Sequence, residues 1–371
     1  MGNRKLINIL LFSLVVLGSF EASAQWRKYS NEFLSIGVGA RGMSMSGANV
    51  ASVNDVTSAY WNPAGLAHAK NDMQIGLMHS QYFSGIANYN YGGFVRPLKA
   101  EGKYLGFSVI RFGIDNIPNT LFLIDPADNS INYDRITTFS AVDNAYLLSY
   151  AQEMSKENLV VGGNLKIIHR YIGEFATSWG FGIDIGAQYK VGDWLLGASI
   201  KDVTTTYNAW SINFTEEEGE ILAITNNVIP AETSYEYTQP RIILGGARKW
   251  KVYKQKVGVL PEVNVEITTD GKRNTLISGN PFSIDPRMGL ELDFMEVVFL
   301  RLGIGKIQRA TEDYTTKEIT TAQPNLGLGL RIKSIALDYS LSDIGNVSQI
   351  PFSHTFAIKI DVNKKVAAKI N

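Results

Sequence analysis

Gly37, Gly39 and Gly42 stand in a G-x-G-x-x-G spacing. In a dinucleotide-binding fold that spacing lets the backbone approach a pyrophosphate at the start of a helix. Asp55 lies roughly where such a fold puts its ribose-binding carboxylate. The chemistry also needs a strand before the glycines, a helix after them and a parallel β-α-β unit around both. Residues 33–36 could form the strand, but no β-α-β pattern follows. A flexible small-residue stretch packed inside a larger structure accounts better for the glycines. His68, His79, His169 and His354 are scattered without metal-ligand spacing. No G-x-S-x-G occurs, and no Ser/His/Asp arrangement can be argued from the sequence. The expectation is a protein without catalysis, cofactor or metal.

The elements around these residues are strands. Phe181, Ile183, Ile185, Ala187 and Tyr189 share one face; Gly182, Asp184, Gly186, Gln188 and Lys190 share the other. Met288, Leu290, Leu292 and Phe294 alternate in the same way with Arg287, Gly289, Glu291 and Asp293. Period two is the strand signature. It predicts strands at 73–82, 86–97, 103–113, 143–152, 158–171, 178–190, 193–203, 239–250, 256–268, 286–295, 297–307, 323–333, 334–342 and 352–362. These are fourteen, an even number, as bacterial membrane barrels have. Gaps after even-numbered strands are tight. Those after odd-numbered strands are mostly long: 114–142, 204–238, 269–285 and 308–322. Short periplasmic turns alternating with long outer loops are what a membrane barrel requires, and a sandwich has no reason to sort loops by parity. Tyr82, Tyr89, Tyr91, Tyr104, Tyr171, Tyr189, Trp194, Trp250 and Tyr253 fall near strand ends, where interfacial belts would put them. The glycine pairs 92–93, 162–163 and 245–246 could kink strands or relieve crowding in a filled lumen.

Composition agrees with one large β structure. The 34 glycines, 17 tyrosines and 17 phenylalanines are spread along the chain, and no linker divides it. Residues 1–24 read as a signal peptide: Arg4 and Lys5, an apolar run at 6–20, and Ala22-Ser-Ala24 as the cleavage site. After residue 24 no apolar run approaches 18 residues, so a membrane could be crossed only by strands. Cysteine is absent, which excludes a disulfide framework and a lipid-modified cysteine. The formal net charge is zero and gives no sign of a nucleic-acid partner. The fold class expected is therefore all-β: a 14-stranded antiparallel transmembrane β-barrel over 73–362, preceded by an N-terminal, partly helical plug or hatch over 25–72. A basic tail follows at 363–371, with both termini in the periplasm. The last strand does not end the chain on the aromatic residue that commonly closes such barrels.

The segment 25–72 has no clear alternation. Val50, Val53 and Val56 give 48–60 a partly helical pattern. Pro63 disfavours helical geometry at Asn62 and ends it; Gly65 permits a tight reversal. A periplasmic tail or a plug folded up into the lumen would both suit. In the second case Arg41 would meet lumen carboxylates.

Here the sequence resembles a known family. The run 33–48, then Ala51-Ser-Val-Asn-Asp55, then Ala59-Tyr-Trp-Asn-Pro-Ala-Gly-Leu-Ala67, resembles the PorV/PorQ family of Bacteroidota outer-membrane proteins. Its N-P-A-G-L element is also similar to the FadL-type fatty-acid transporters, fourteen-stranded barrels with an N-terminal hatch. The resemblance covers about residues 33–67 and rests on Gly37, Gly39, Arg41, Gly42, Gly47, Trp61, Asn62, Pro63 and Gly65. It implies an outer-membrane component of the type IX secretion system, surrounded by outer-membrane lipid. Such a component binds a large translocon barrel or shuttles secreted cargo by its C-terminal domain. The alternative it implies is a passive transporter of hydrophobic small molecules. On the first reading the loops 114–142 and 204–238 would face partner or cargo, with Phe122, Trp210 and Phe214 as contacts; they could equally pack on one another.

Overall fold

The computed structural model describes residues 30–69, 71–82, 85–124, 128, 130–154, 158–224, 231–311, 318–342 and 352–363. The expected signal peptide and nearly all of the expected basic tail lie outside them. Among the described residues seventeen strands form one sheet: β1 (Met73–Tyr82), β2 (Ala87–Pro97), β3 (Lys103–Asn119), β4 (Thr137–Met154), β5 (Leu159–Ile172), β6 (Ala176–Val191), β7 (Trp194–Lys201), β8 (Thr206–Ile212), β9 (Thr233–Thr238), β10 (Arg241–Arg248), β11 (Trp250–Val252), β12 (Val257–Thr268), β13 (Ser283–Phe294), β14 (Val298–Thr311), β15 (Glu318–Ile332), β16 (Ile335–Ser342) and β17 (Ser353–Val362). Fourteen of them close a ring. β1 to β7 pair in sequence order, β7 pairs with β10, β10 with β12, β12 to β17 continue in order, and β17 pairs with β1. Every pairing is antiparallel; the closing one runs from Met73↔Val362 to Gln81↔His354.

Alternation assigns the two faces. On β12 Gly258, Leu260, Glu262, Asn264, Glu266 and Thr268 are buried, and the residues between them point outward. Charged residues sit on the buried face of most ring strands from β5 onward, among them Lys166, Asp184, Arg301, Asp338 and Lys359, whereas on β1 to β4 that face is largely apolar, with Met78, Tyr89, Tyr91, Val95, Ile110 and Leu147. Exposed Leu, Ile, Val and Phe cover the other face: Leu300, Leu302 and Ile304 on β14, Leu328 and Leu330 on β15. Apolar-out and polar-in is the arrangement of a barrel in lipid. The short turns are tight; Met295 and Glu296 carry φ of 55° and 58°, the left-handed pair of a two-residue hairpin.

The structure departs from the expectations in four places. The stretch 204–238 is not a plain loop, because β8 and β9 form a hairpin on the upper half of β6 (Ala176↔Ile212 to Phe181↔Tyr207). The helix Glu216–Ile224 follows β8. Thr215 and Glu218 cap it reciprocally, Glu218 N–H donating to Thr215 Oγ1 (3.3 Å) and Thr215 N–H to a Glu218 carboxylate oxygen (2.8 Å). β3 and β4 run well past their predicted outer ends, through an irregularity between Ile114 and Ile117. Tyr82, Tyr89 and Tyr91 are not interfacial; their strand parity turns them inward and all three are buried.

Candidate functional site

Residues 30–69 are buried almost throughout and lie against the inward face of the ring. Their backbone approaches the strands where the strands have no side chain. A Cβ on Gly162 of β5 would come 2.6 Å from the Pro63 carbonyl carbon, and one on Gly303 of β14 would come 2.4 Å from that of Met45. Gly186 of β6 makes room for the Asn62 side chain in the same way. Of the glycine pairs, Gly162 is thus explained by crowding. Pro63 begins a 3₁₀ turn, Pro63–His68, with extended Asn62 (φ −158°) as its cap. The Asn62 amide donates to the carbonyls of Val50 and of Ala187 on β6, both at 3.0 Å.

Gly37 and Gly42 of the G-x-G-x-x-G, with Gly47 beyond it, border an indole, whereas Gly39 faces Thr57. A Cβ on Gly42 would meet Trp61 at 2.6 Å, and one on Gly37 or Gly47 would come within 3.3 or 3.2 Å of the same ring system. The Trp61 N–H donates to the Val38 carbonyl at 2.7 Å. The Gly39 N–H is taken by the Met78 sulfur at 2.9 Å. Trp61 occupies the space a phosphate cradle would need. Gly65 is required for space and not for a reversal: its Cβ would sit 2.4 Å from the Val53 carbonyl oxygen. The helical expectation for 48–60 is largely wrong. Only Ser58–Trp61 is α-helical there, and a short helix forms instead at Ala40–Ser44. The carbonyls of Val50 and Val53 accept from Gln188 at 3.0 and 2.9 Å, so strand side chains take the bonds a helix would have used.

An alternating chain of charges holds the segment. Arg41 donates through Nε to Glu291 of β13 at 2.8 Å and also bonds Asn49. Glu291 accepts from Arg301 of β14 at 2.6 Å, and Arg301 donates to Asp338 of β16 at 2.7 Å. Asp338 lies 3.3 Å from Lys359 of β17, whose ammonium donates to Asp55 at 2.7 Å. The chain thus returns to the segment, with three positive and three negative groups. Burial alone would raise the Asp55 carboxyl, but Lys359, the Thr57 hydroxyl and Arg41 hold it well below the ordinary carboxylate range. Burial works against the Arg41 guanidinium too, and Glu291 lifts it above its usual value. On the other side of the lumen Lys201 rests its ammonium 3.8 Å from the centre of the Tyr60 ring.

A second feature lies at the long-loop end. Pro118, Leu121, Phe139, Phe175, Ile212, Phe214 and Ile221 line an apolar pocket of about 570 Å³. The hairpin and the capped helix supply one wall, and the outer ends of β3 and β4 the other. Of the three proposed contact residues, only Phe214 lines it. Phe122 is half-buried nearby in sequence, and Trp210 is buried on β8, its ring 4.9 Å from the Arg170 guanidinium. The two loops singled out in the sequence, 114–142 and 204–238, supply Leu121, Phe139, Ile212, Phe214 and Ile221, whereas Phe175 comes from outside both.

No protein-family profile matches the chain, and no curated protein matches it in sequence. Solved structures do match in fold. The toluene transporter TodX of P. putida aligns over 89% of this chain and 99% of its own at 10% identity, with a TM-score of 0.53. The toluene transporter TbuX of Ralstonia pickettii aligns over 88% and 99% at 11% identity, TM-score 0.52. A FadL homologue of Pseudomonas aeruginosa aligns over 87% and 98% at 12% identity, TM-score 0.51. The chain is similar to these in fold.

Proposed function

We propose that this chain is an outer-membrane barrel that admits small hydrophobic molecules, with residues 30–69 as a plug that closes the lumen at rest. The observation that carries the reading is the apolar pocket at Leu121, Phe139, Phe175, Ile212 and Phe214. It stands at the long-loop end, where an incoming apolar solute would first find shelter from water, and its volume is that of a small-molecule site. The fold it shares with two toluene transporters supports the same class of solute. Both termini are then periplasmic, and 1–24 is the export signal. No residue is assigned catalysis, cofactor or metal. In cells expressing the chain, uptake of labelled toluene exceeds that of cells lacking it, and Phe214→Asp, which puts a charge in the pocket, lowers the excess about tenfold. Uptake that is the same with and without the chain would sink this reading.

A second reading, a type IX secretion component engaging a translocon barrel or the C-terminal domains of cargo, is favoured by another observation. Ile124, Ile131, Tyr133 and Ile224 are 52%, 58%, 71% and 71% exposed at the same end, more apolar surface than a solvated loop needs. Affinity purification from the native membrane separates the two. Recovery of a very large barrel or of cargo domains favours secretion; co-purified apolar molecules without a protein partner favour transport.

A further inference from the structure

The outward face of β1 and β15 to β17 carries a recess of about 570 Å³, lined by Leu77, Leu328, Leu330, Leu337, Phe356 and Ile358, with Ala357 in its floor. It opens on the lipid side of the wall and not on the lumen. Its size is that of a ligand cleft, roughly 300–1,000 Å³.

Polar groups stand at its edge. Tyr339 and His79 are part of the lining. Tyr339 shares a hydrogen bond of 2.8 Å with His354, and His79 shares one of 2.8 Å with Asn90 of β2. The ladder continues the row sideways: Asn90 is opposite Arg111 of β3, and Arg111 opposite Asn144 of β4. This outward row carries one fixed positive charge, two groups of ring nitrogens nearby, and no carboxylate. An arginine is costly at mid-membrane and costs nearly nothing at the interface. Arg111 therefore marks the headgroup level on β3. Strand composition agrees. On β12 the outward positions are apolar from Val257 to Ile267, whereas on β3 only Leu105, Phe107 and Val109 separate Lys103 from Arg111. The apolar belt on β3, two strands from β1, is half as tall as on β12, so headgroups stand lower on this side of the barrel.

We infer that this recess holds a membrane lipid, its acyl chain among Leu77, Leu328, Leu330 and Leu337 and its phosphate beside His79, on the side where Asn90 and Arg111 continue the row. The inference rests on the membrane reading above. The occupant is a lipid and not a soluble anion, because the apolar recess is bordered directly by the polar His79 and Tyr339, and only a lipid offers an apolar and a polar half together.

The test uses the full chain reconstituted in phosphatidylethanolamine vesicles containing phosphatidylglycerol, then released for native mass spectrometry. The wild type retains one phospholipid, with phosphatidylglycerol preferred. Leu337→Trp and Leu328→Trp, which fill the recess from its open side, each cut retention about tenfold, and Arg111→Gln removes the preference for phosphatidylglycerol while leaving neutral-lipid retention. A wild type that floats with vesicles but carries no lipid, or variants that retain it as the wild type does, overturns the lipid site alone. Dimers of the chain that dissociate in Leu337→Trp overturn it in favour of a second copy. A wild type that does not float at all fails the membrane reading and this site together.

Discussion

Arg41 shows how one side chain can join two structures. Its guanidinium binds Glu291 on the barrel and Asn49 and Ser52 on its own segment. Stripping one partner from a buried pair costs about 3–5 kcal/mol, but Glu291 would keep Arg301, so the loss in Arg41→Ala falls at or below the low end. The barrel should still assemble, since no ladder bond involves Arg41. Bilayer conductance should rise as the segment loosens; conductance equal to the wild type would count against the plug. The motif residues were legible as a group but not in purpose. Gly37, Gly42 and Gly47 were conspicuous by type, and only the fold reveals that Trp61, some twenty residues on, is what they accommodate.

At the scale of elements, the ion pair Asp55–Lys359 ties the segment to β17. The folded-state carboxyl of Asp55 lies below its ordinary value. Its contribution to docking is therefore complete above about pH 4, the unperturbed carboxylate range, and is lost as the pH falls through the folded value. The protection of the amides of residues 40–66 against hydrogen exchange, taken relative to the intrinsic exchange rate at each pH, should fall below about pH 4 in the wild type. In Asp55→Asn the protection should be low already at neutral pH and should lose that acid-dependent fall. A wild-type fall equal to the mutant's would show that the pair does not hold the segment. The ring strands were readable because an inside and an outside of opposite polarity impose period two. β8 and β9 were missed because their alternations are only seven and six residues long and lie over a neighbour's extension. The capping box at Thr215 and Glu218 was visible in the sequence and would have flagged the helix. Val50, Val53 and Val56 misled because burial on all sides produces a three-residue spacing without a helix.

At the scale of the whole molecule, the closed ladder and the filled interior are separable. Every ring strand has its two hydrogen-bonded neighbours without help from residues 30–69. Deleting those residues should leave a heat-modifiable barrel on gels but a wide, ion-conducting lumen lined by Glu262, Glu266, Arg287 and Glu291. A deletion that conducts no more than the wild type would show that other parts of the chain block the passage. The count of ring strands was available from period-two alternation and their closure into a barrel from loop parity, whereas the direction of the inner segment's contacts depends on glycines placed across many strands, which no local pattern announces.

The seam between β1 and β17 has a further consequence for how the chain reaches its final form. Gln74 of β1 accepts from the Val56 amide at 2.7 Å and donates to Asp361 of β17 at 2.6 Å, while Lys359 reaches Asp55. These partners are as much as 304 positions apart. Such distant contacts form late, after loop-closure entropy has been met by earlier pairings. The segment synthesised first is thus the surface on which the final strand is registered: biogenesis must keep the N-terminal stretch waiting, uncommitted, until the last hairpin arrives to lock around it.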